Sequence, residues 1–269
     1  LMRWLRRAEN RAAVRDRIAR QREKPVVGPV VRSLEPVVRG AGTPARFVWD
    51  RVTPGALGLE LTTLFAVIAV GAFAVVFDLV RVEDMRSIAG DAEAMRLAHA
   101  LDVDPVVSIV KVVTALGTFG AAAALIVAAS AFLVSRGDRT GPAVLVPGFL
   151  ITWIVVRVAK AGADRPRPAG SLVETVGSAF PSGHAANAIA WAAVGVALAR
   201  ALRGRASEVA FATIGVIVAV AIGLSRVLLG AHYLSDVVAG WGLGAAIYAL
   251  CGVAALFVGR MRNNRRRSA

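Results

Sequence analysis

The chain has 269 residues, 57% of them hydrophobic, and a formal net charge of +14. A mean hydropathy of +0.63 excludes an ordinary soluble domain of this length. Most of the positive charge lies outside the apolar runs, so it reads as a membrane-orientation signal rather than as nucleic-acid binding.

The first segment, residues 3–24, reads as a basic helix with Trp4, Leu5, Ala8, Ala12 and Ala19 loosely on one face. It either lies on an anionic leaflet or forms a solvated tail. The Arg-rich start has no early apolar core, which predicts no cleavable signal peptide. Pro25, Pro29 and Pro36 then recur in an extended linker, and Phe47 and Trp49 suit an interfacial anchor. A hydrocarbon layer of about 30 Å takes ~20 helical residues. On that basis we expect six spans, at 57–80, 106–134, 142–160, 185–202, 208–226 and 237–258. The second is long enough to tilt or to contain an interfacial turn. The spans are rich in Ala, Val and Gly, and Gly240, Gly242 and Gly244 suit close helix approach in a compact bundle.

Between the first two spans, residues 81–105 are acidic. We expect a short external helix from Asp91 to Leu101 with Asp91 as its N-cap. His99 there reads as an ordinary helix or loop histidine. Cys251, the one cysteine, reads as core packing in the last span.

Six spans put both termini on one side with most of the 32 Lys and Arg residues. Arg81, Arg86, Arg96, Lys160, Arg165, Arg167 and Arg226 fall on the other. The positive-inside rule then makes both termini cytoplasmic.

Three residue clusters fall at span ends on the outer side. Lys160 closes the third span, and Arg167-Pro168 follows a turn rich in Gly and Pro. Alone, such cations commonly mark the interface. Pro181-Ser182-Gly183-His184 opens the fourth span. Its backbone N–H groups, at a helix start, suit an anion or simply cap the helix. Ser225-Arg226 closes the fifth span, and His232 and Asp236 open the sixth with i, i+4 spacing. That spacing puts both on one helix face. A carboxylate on one ring nitrogen fixes the tautomer and frees the other to attack, although a structural ion pair reads the same way. The three clusters together supply what phosphoryl transfer through a histidine requires.

Lys160-x6-Arg167-Pro168, Pro181-Ser182-Gly183-His184 and Ser225-Arg226-x5-His232-x3-Asp236 resemble, without departure, the three-part signature of the type 2 phosphatidic acid phosphatase (PAP2) superfamily. The likeness runs from about Leu57 to Val258. It implies an all-α, six-transmembrane-helix bundle with cytoplasmic termini and a basic N-terminal extension. The expected organisation is an extension and linker at 1–53, a transmembrane phosphatase domain at 54–259 and a basic tail at 260–269.

The resemblance also implies roles. His232 is the nucleophile that becomes a phosphohistidine, Asp236 orients it, and His184 is the general acid. Lys160, Arg167, Ser182, Gly183 and Arg226 hold the phosphate oxygens, with no metal or other cofactor. The implied partners are a lipid-phosphate substrate and membrane lipids. The implied location is the inner or plasma membrane, with the site on the extracytoplasmic face. Polyprenyl (undecaprenyl) diphosphate, phosphatidylglycerophosphate and phosphatidate are candidate substrates. A lipid phosphotransferase and a non-catalytic lipid-binding protein are the rival classes, and homo-oligomerisation is left open. Six spans argue against the soluble vanadium haloperoxidases that share the motifs.

Overall fold

The computed structural model describes residues 87–202 and 205–268, together with positions 69–71, 73–74, 77 and 81; at 89, 205–208, 260 and 262–268 it describes the backbone only. The basic extension, the Pro-rich linker and most of the expected first span lie outside the described residues.

The described residues form helices and no strands. In chain order these are α1 (Ala89–Ala100), α2 (Asp104–Ala115), α3 (Phe119–Ser135), α4 (Thr140–Ala163), α5 (Gly183–Ala201), α6 (Arg205–Leu228) and α7 (Leu234–Ser268). Helical backbone also occurs at 69–71, 73–74, 77 and 81. The expected helix after Asp91 is present as α1, with one correction. Ile88 is the N-cap, and Asp91 lies inside the first turn. From there the Asp91 carboxylate accepts the Ile88 N–H at 3.1 Å, so it satisfies the helix start from within.

Among the described residues, three stretches are long and apolar enough to cross a membrane: Thr140–Ala163, Val209–Leu228 and Leu234–Gly259. Only 28%, 39% and 28% of their most apolar windows are buried in the protein, so most of that surface requires an apolar surrounding. The expected second span is a bent pair, α2 and α3, meeting at 52°. Counted as one span, it makes four. α5 occupies the expected fourth span but is not in that set, because His184, Asn187 and Arg200 dilute its apolar residues.

The break between α2 and α3 frees carbonyls that a membrane-embedded segment must satisfy internally. Trp191 Nε1 of α5 donates to Leu116 O at 3.1 Å, and Asn187 Nδ2 donates to Gly117 O at 3.3 Å. Thr118 then caps α3, its Oγ1 accepting the Ala121 N–H at 3.3 Å. The bend is therefore tied to α5, one turn beyond His184.

α5 packs against α3, α4, α6 and α7. Small residues permit this. A Cβ on Gly195 would lie 2.4 Å from Phe211 O, and one on Gly215 2.5 Å from Trp191 O, so α5 and α6 meet backbone to backbone. Gly240 and Gly244 of α7 do the same toward α5, where a Cβ would lie 2.5 Å from Ser182 O and 2.8 Å from Ala186 O. Gly242 faces Ala69 and Phe73 instead. The bundle core gathers Ile126, Leu133, Leu145, Phe149, Val194 and Tyr248.

α7 continues as helix to Ser268, through the expected tail. Cys251 is a free, half-buried thiol at the edge of the cluster formed by Val156, Ala186, Leu243 and Ile247. Exposed Arg157 lies over the Trp153 ring at 4.8 Å, a cation–π contact at the membrane-facing surface.

Candidate active site

The three clusters, up to 76 positions apart in the chain (Lys160 to Asp236), converge at one end of the bundle. α4 ends at Asp164, a residue in the left-handed region with φ 40°. The chain then folds back over the helix ends, with Leu172 N–H donating to Leu229 O at 2.9 Å and Ala179 N–H to Arg165 O at 2.8 Å. Gly230, with φ 62°, turns the chain from α6 toward His232, and its missing Cβ leaves room for Gly170 O.

His232 is 2% exposed and Asp236 is fully buried. Their i, i+4 spacing places His232 Nδ1 3.6 Å from Asp236 Oδ2. On the other side of the ring, Arg167 Nη1 lies 3.3 Å from Nε2. A guanidinium only donates, so this contact requires an unprotonated Nε2 and puts the ring proton on Nδ1, toward Asp236. Burial pushes the imidazole down to about 4, against the opposing pull of Asp236. At neutral pH His232 is thus a neutral base whose lone pair points at a cation.

Arg167 is held by backbone carbonyls. Nε donates to Gly177 O at 2.9 Å, Nη1 to Ala231 O at 2.8 Å and Nη2 to Val176 O at 2.9 Å. Lys160 Nζ donates to Ser178 O at 2.5 Å. Arg226 Nη1 donates to Thr114 Oγ1 at 3.0 Å, so the end of α2 supports the site. Arg226 Nε is buried without a hydrogen-bond partner among the described residues. Lys160 and Arg226 both lie close enough to Arg167 to feel its charge. Such a concentration of cations, with Arg226 buried and Lys160 and Arg167 half-buried, calls for an anion.

Ser182 N-caps α5, its Oγ accepting the Ala185 N–H at 3.5 Å, and its own N–H donates to Asp236 O at 2.9 Å. The start of α5 is therefore pinned to the start of α7. Gly183 lies over Val156 and Lys160, where a Cβ would stand 3.6 Å and 4.0 Å from their side chains. His184, half-buried, packs against Gly117 at the α2–α3 bend. The structure brings together all eight residues singled out in the sequence: Lys160, Arg167, Ser182, Gly183, His184, Arg226, His232 and Asp236.

Sequence reasoning missed two others. Arg165 reads as one more cation in a turn, yet it is 1% exposed. Its Nη1 donates to Asp236 Oδ1 at 2.5 Å and to Ser235 Oγ at 2.8 Å, and its Nη2 donates to Asp91 Oδ2 at 3.0 Å. Its guanidinium also covers the Tyr233 ring at 4.6 Å. Asp91, read as a helix cap, is likewise 1% exposed and reaches into the site from α1. The one available signal was position: Arg165 lies two residues before Arg167, in the same motif. Among the described residues, no group of three His, Cys, Asp or Glu side chains is placed to hold a metal ion.

Residues 141–260 match the family model of the PAP2 superfamily. No curated protein matches the chain. The structure is similar to a solved transmembrane PAP2-type phosphatidylglycerolphosphate phosphatase from Bacillus subtilis, with a TM-score of 0.63 at 23% identity over 70% of this chain and 94% of that one. At that identity the likeness carries the fold.

Proposed function

We propose that this chain, a PAP2-superfamily protein and a phosphatase of that type, releases phosphate from a lipid phosphomonoester or diphosphate through a phosphohistidine at His232. The observation that carries this reading is the environment of His232 Nε2: an unprotonated nitrogen that faces the Arg167 guanidinium at 3.3 Å, with Lys160 and Arg226 nearby. A phosphoryl group bound by those cations lies in the path of that lone pair.

In the first step Nε2 attacks phosphorus. The N–P bond forms, the bond to the leaving oxygen breaks, and His184, which burial and the surrounding cations push down to about 3, gives that oxygen the proton it takes up once the anionic phosphate offsets those cations. The imidazole becomes cationic, and Asp236 faces its Nδ1–H. Water then attacks the phosphohistidine with His184 as base, releasing phosphate and restoring Nε2. Lys160, Arg167, Arg226, Ser182 and the Gly183 N–H hold the phosphoryl oxygens as charge shifts between them. The cations take the electrostatic role that a metal ion fills in other phosphatases.

Three membrane-length helices and a bent pair among the described residues support a domain embedded in the cell membrane; six spans over 54–259 follow from the apolar runs of the sequence. The distribution of Lys and Arg supports cytoplasmic termini and a site on the extracytoplasmic face. A site at helix ends beside lipid-facing surface suits a phosphate carried on a lipid. The Bacillus neighbour puts phosphatidylglycerophosphate first among the expected substrates to try, ahead of polyprenyl diphosphate and phosphatidate.

The test is phosphate release from these lipids by the purified chain, with and without an alcohol acceptor. Release without acceptor is expected. Phosphate transfer seen only with acceptor would make the protein a phosphotransferase instead.

A further inference from the structure

Asp91, Arg165 and Ser235 form a buried polar set that the chemistry above does not use. Asp91 is fully satisfied. Its Oδ1 accepts Ser235 N–H at 2.8 Å, and its Oδ2 accepts Ser235 Oγ at 2.7 Å, Arg165 Nη2 at 3.0 Å and Ile88 N–H at 3.1 Å. Arg165 bridges from there to Asp236 Oδ1. The other Asp236 oxygen accepts Tyr233 N–H at 2.8 Å and faces His232. The carboxylate is thus held by both oxygens, in the one orientation that directs Oδ2 at Nδ1.

A buried ion pair is poor evidence for stability, because desolvation offsets much of the attraction. What distinguishes this set is its charge. Arg165 alone would neutralise Asp236 and weaken its hold on a cationic imidazole. Asp91 shares the same guanidinium, so among the described residues two carboxylates divide one cation, and Asp236 keeps negative charge facing His232. That charge matters most when the ring turns cationic on bonding phosphorus.

We propose that Asp91, Arg165 and Ser235 are positioning residues of the phosphoryl-transfer step. They act through Asp236 by fixing its orientation and preserving its negative charge, and they couple α1 to the nucleophile. This inference rests on the proposed chemistry at His232.

The test uses the full chain in detergent micelles, as wild type, Asp91→Asn, Arg165→Lys and Ser235→Ala. Orthovanadate, which bonds a histidine nucleophile as a phosphoryl mimic, counts the competent sites and reports on His232 without turnover. Phosphate release from phosphatidylglycerophosphate and phosphatidate gives kcat and KM per competent site. Asp91→Asn keeps the shape and loses the charge. It is expected to lower kcat per vanadate site about 10–100-fold with KM nearly unchanged, and to weaken vanadate binding in parallel. Arg165→Lys, which keeps the charge but loses the fork, is expected to lie between Asp91→Asn and wild type. Ser235→Ala, the mildest change, is expected to lower kcat several-fold, and it decides the matter if the charge variants do not fold.

A merely structural tie would reduce the number of competent sites and leave kcat per site and vanadate affinity at wild-type values; that result overturns the proposal. A wild type that binds vanadate but releases phosphate from neither lipid counts against the hydrolase reading, and the vanadate arm then decides the positioning role alone.

Discussion

His232 can attack phosphorus only while its imidazole is neutral, and burial holds it neutral well below physiological pH. A histidine pushed down to about 4 keeps its lone pair as pH falls from 7.5 to 5.5, and loses it only near pH 4. The expected result in ¹⁵N NMR of histidine-labelled protein is a set of His232 ring signals unchanged across that interval, assigned by their loss in His232→Ala. Protonation near the ordinary 6.5 would show that the ring is better solvated than its 2% exposure implies. Replacing one of the cations proposed to hold phosphate, as in Arg226→Ala, should cost about 3–4 kcal/mol of transition-state stabilisation, or about 10²–10³ in kcat. All eight proposed site residues were legible because each motif residue is chemically conspicuous at a span end. Arg165 and Asp91 were not, because their meaning lies in partners 71 and 74 positions away along the chain. A sequence shows that a cation is present but not that it is buried between two carboxylates.

Helices α4 to α7 carry the site because their ends are pinned to one another, and glycine makes the pinning close. A Cβ on Gly240 would stand 2.5 Å from Ser182 O, so Gly240→Ala must part α7 from α5 where Ser182 N–H meets Asp236 O. Overpacking of this kind typically costs about 1–3 kcal/mol. The expected outcome is a lower unfolding temperature together with reduced phosphate release, whereas Gly120→Ala, with open space around it, should change neither. The glycines of the last span were readable as close-approach positions from composition alone. The α2–α3 bend was readable only as an overlong apolar run. Its location at Gly117 depends on Asn187 and Trp191 of α5 satisfying the freed carbonyls. The cap of α1 shifted by three residues for a similar reason: Asp91 is claimed by Arg165 and Ser235.

At the scale of the whole molecule, an apolar bundle carries a cluster of cations at one end, and the proposed chemistry falls to a histidine rather than to a metal ion. Phosphate release should therefore persist in excess EDTA, and a large loss would count against the metal-free reading. Sidedness follows from the distribution of Lys and Arg: a membrane-impermeant phosphate analogue should inhibit from the extracytoplasmic side of right-side-out vesicles and not from the other. The most direct measurement is rapid quenching of the protein with a lipid carrying ³²P in its terminal phosphate. The account predicts a labelled intermediate that is stable in alkali, labile in acid and absent in His232→Ala, whose phosphate release should fall by about 10⁴-fold or more. Full phosphate release by His232→Ala, or label that survives acid on another residue, would contradict it.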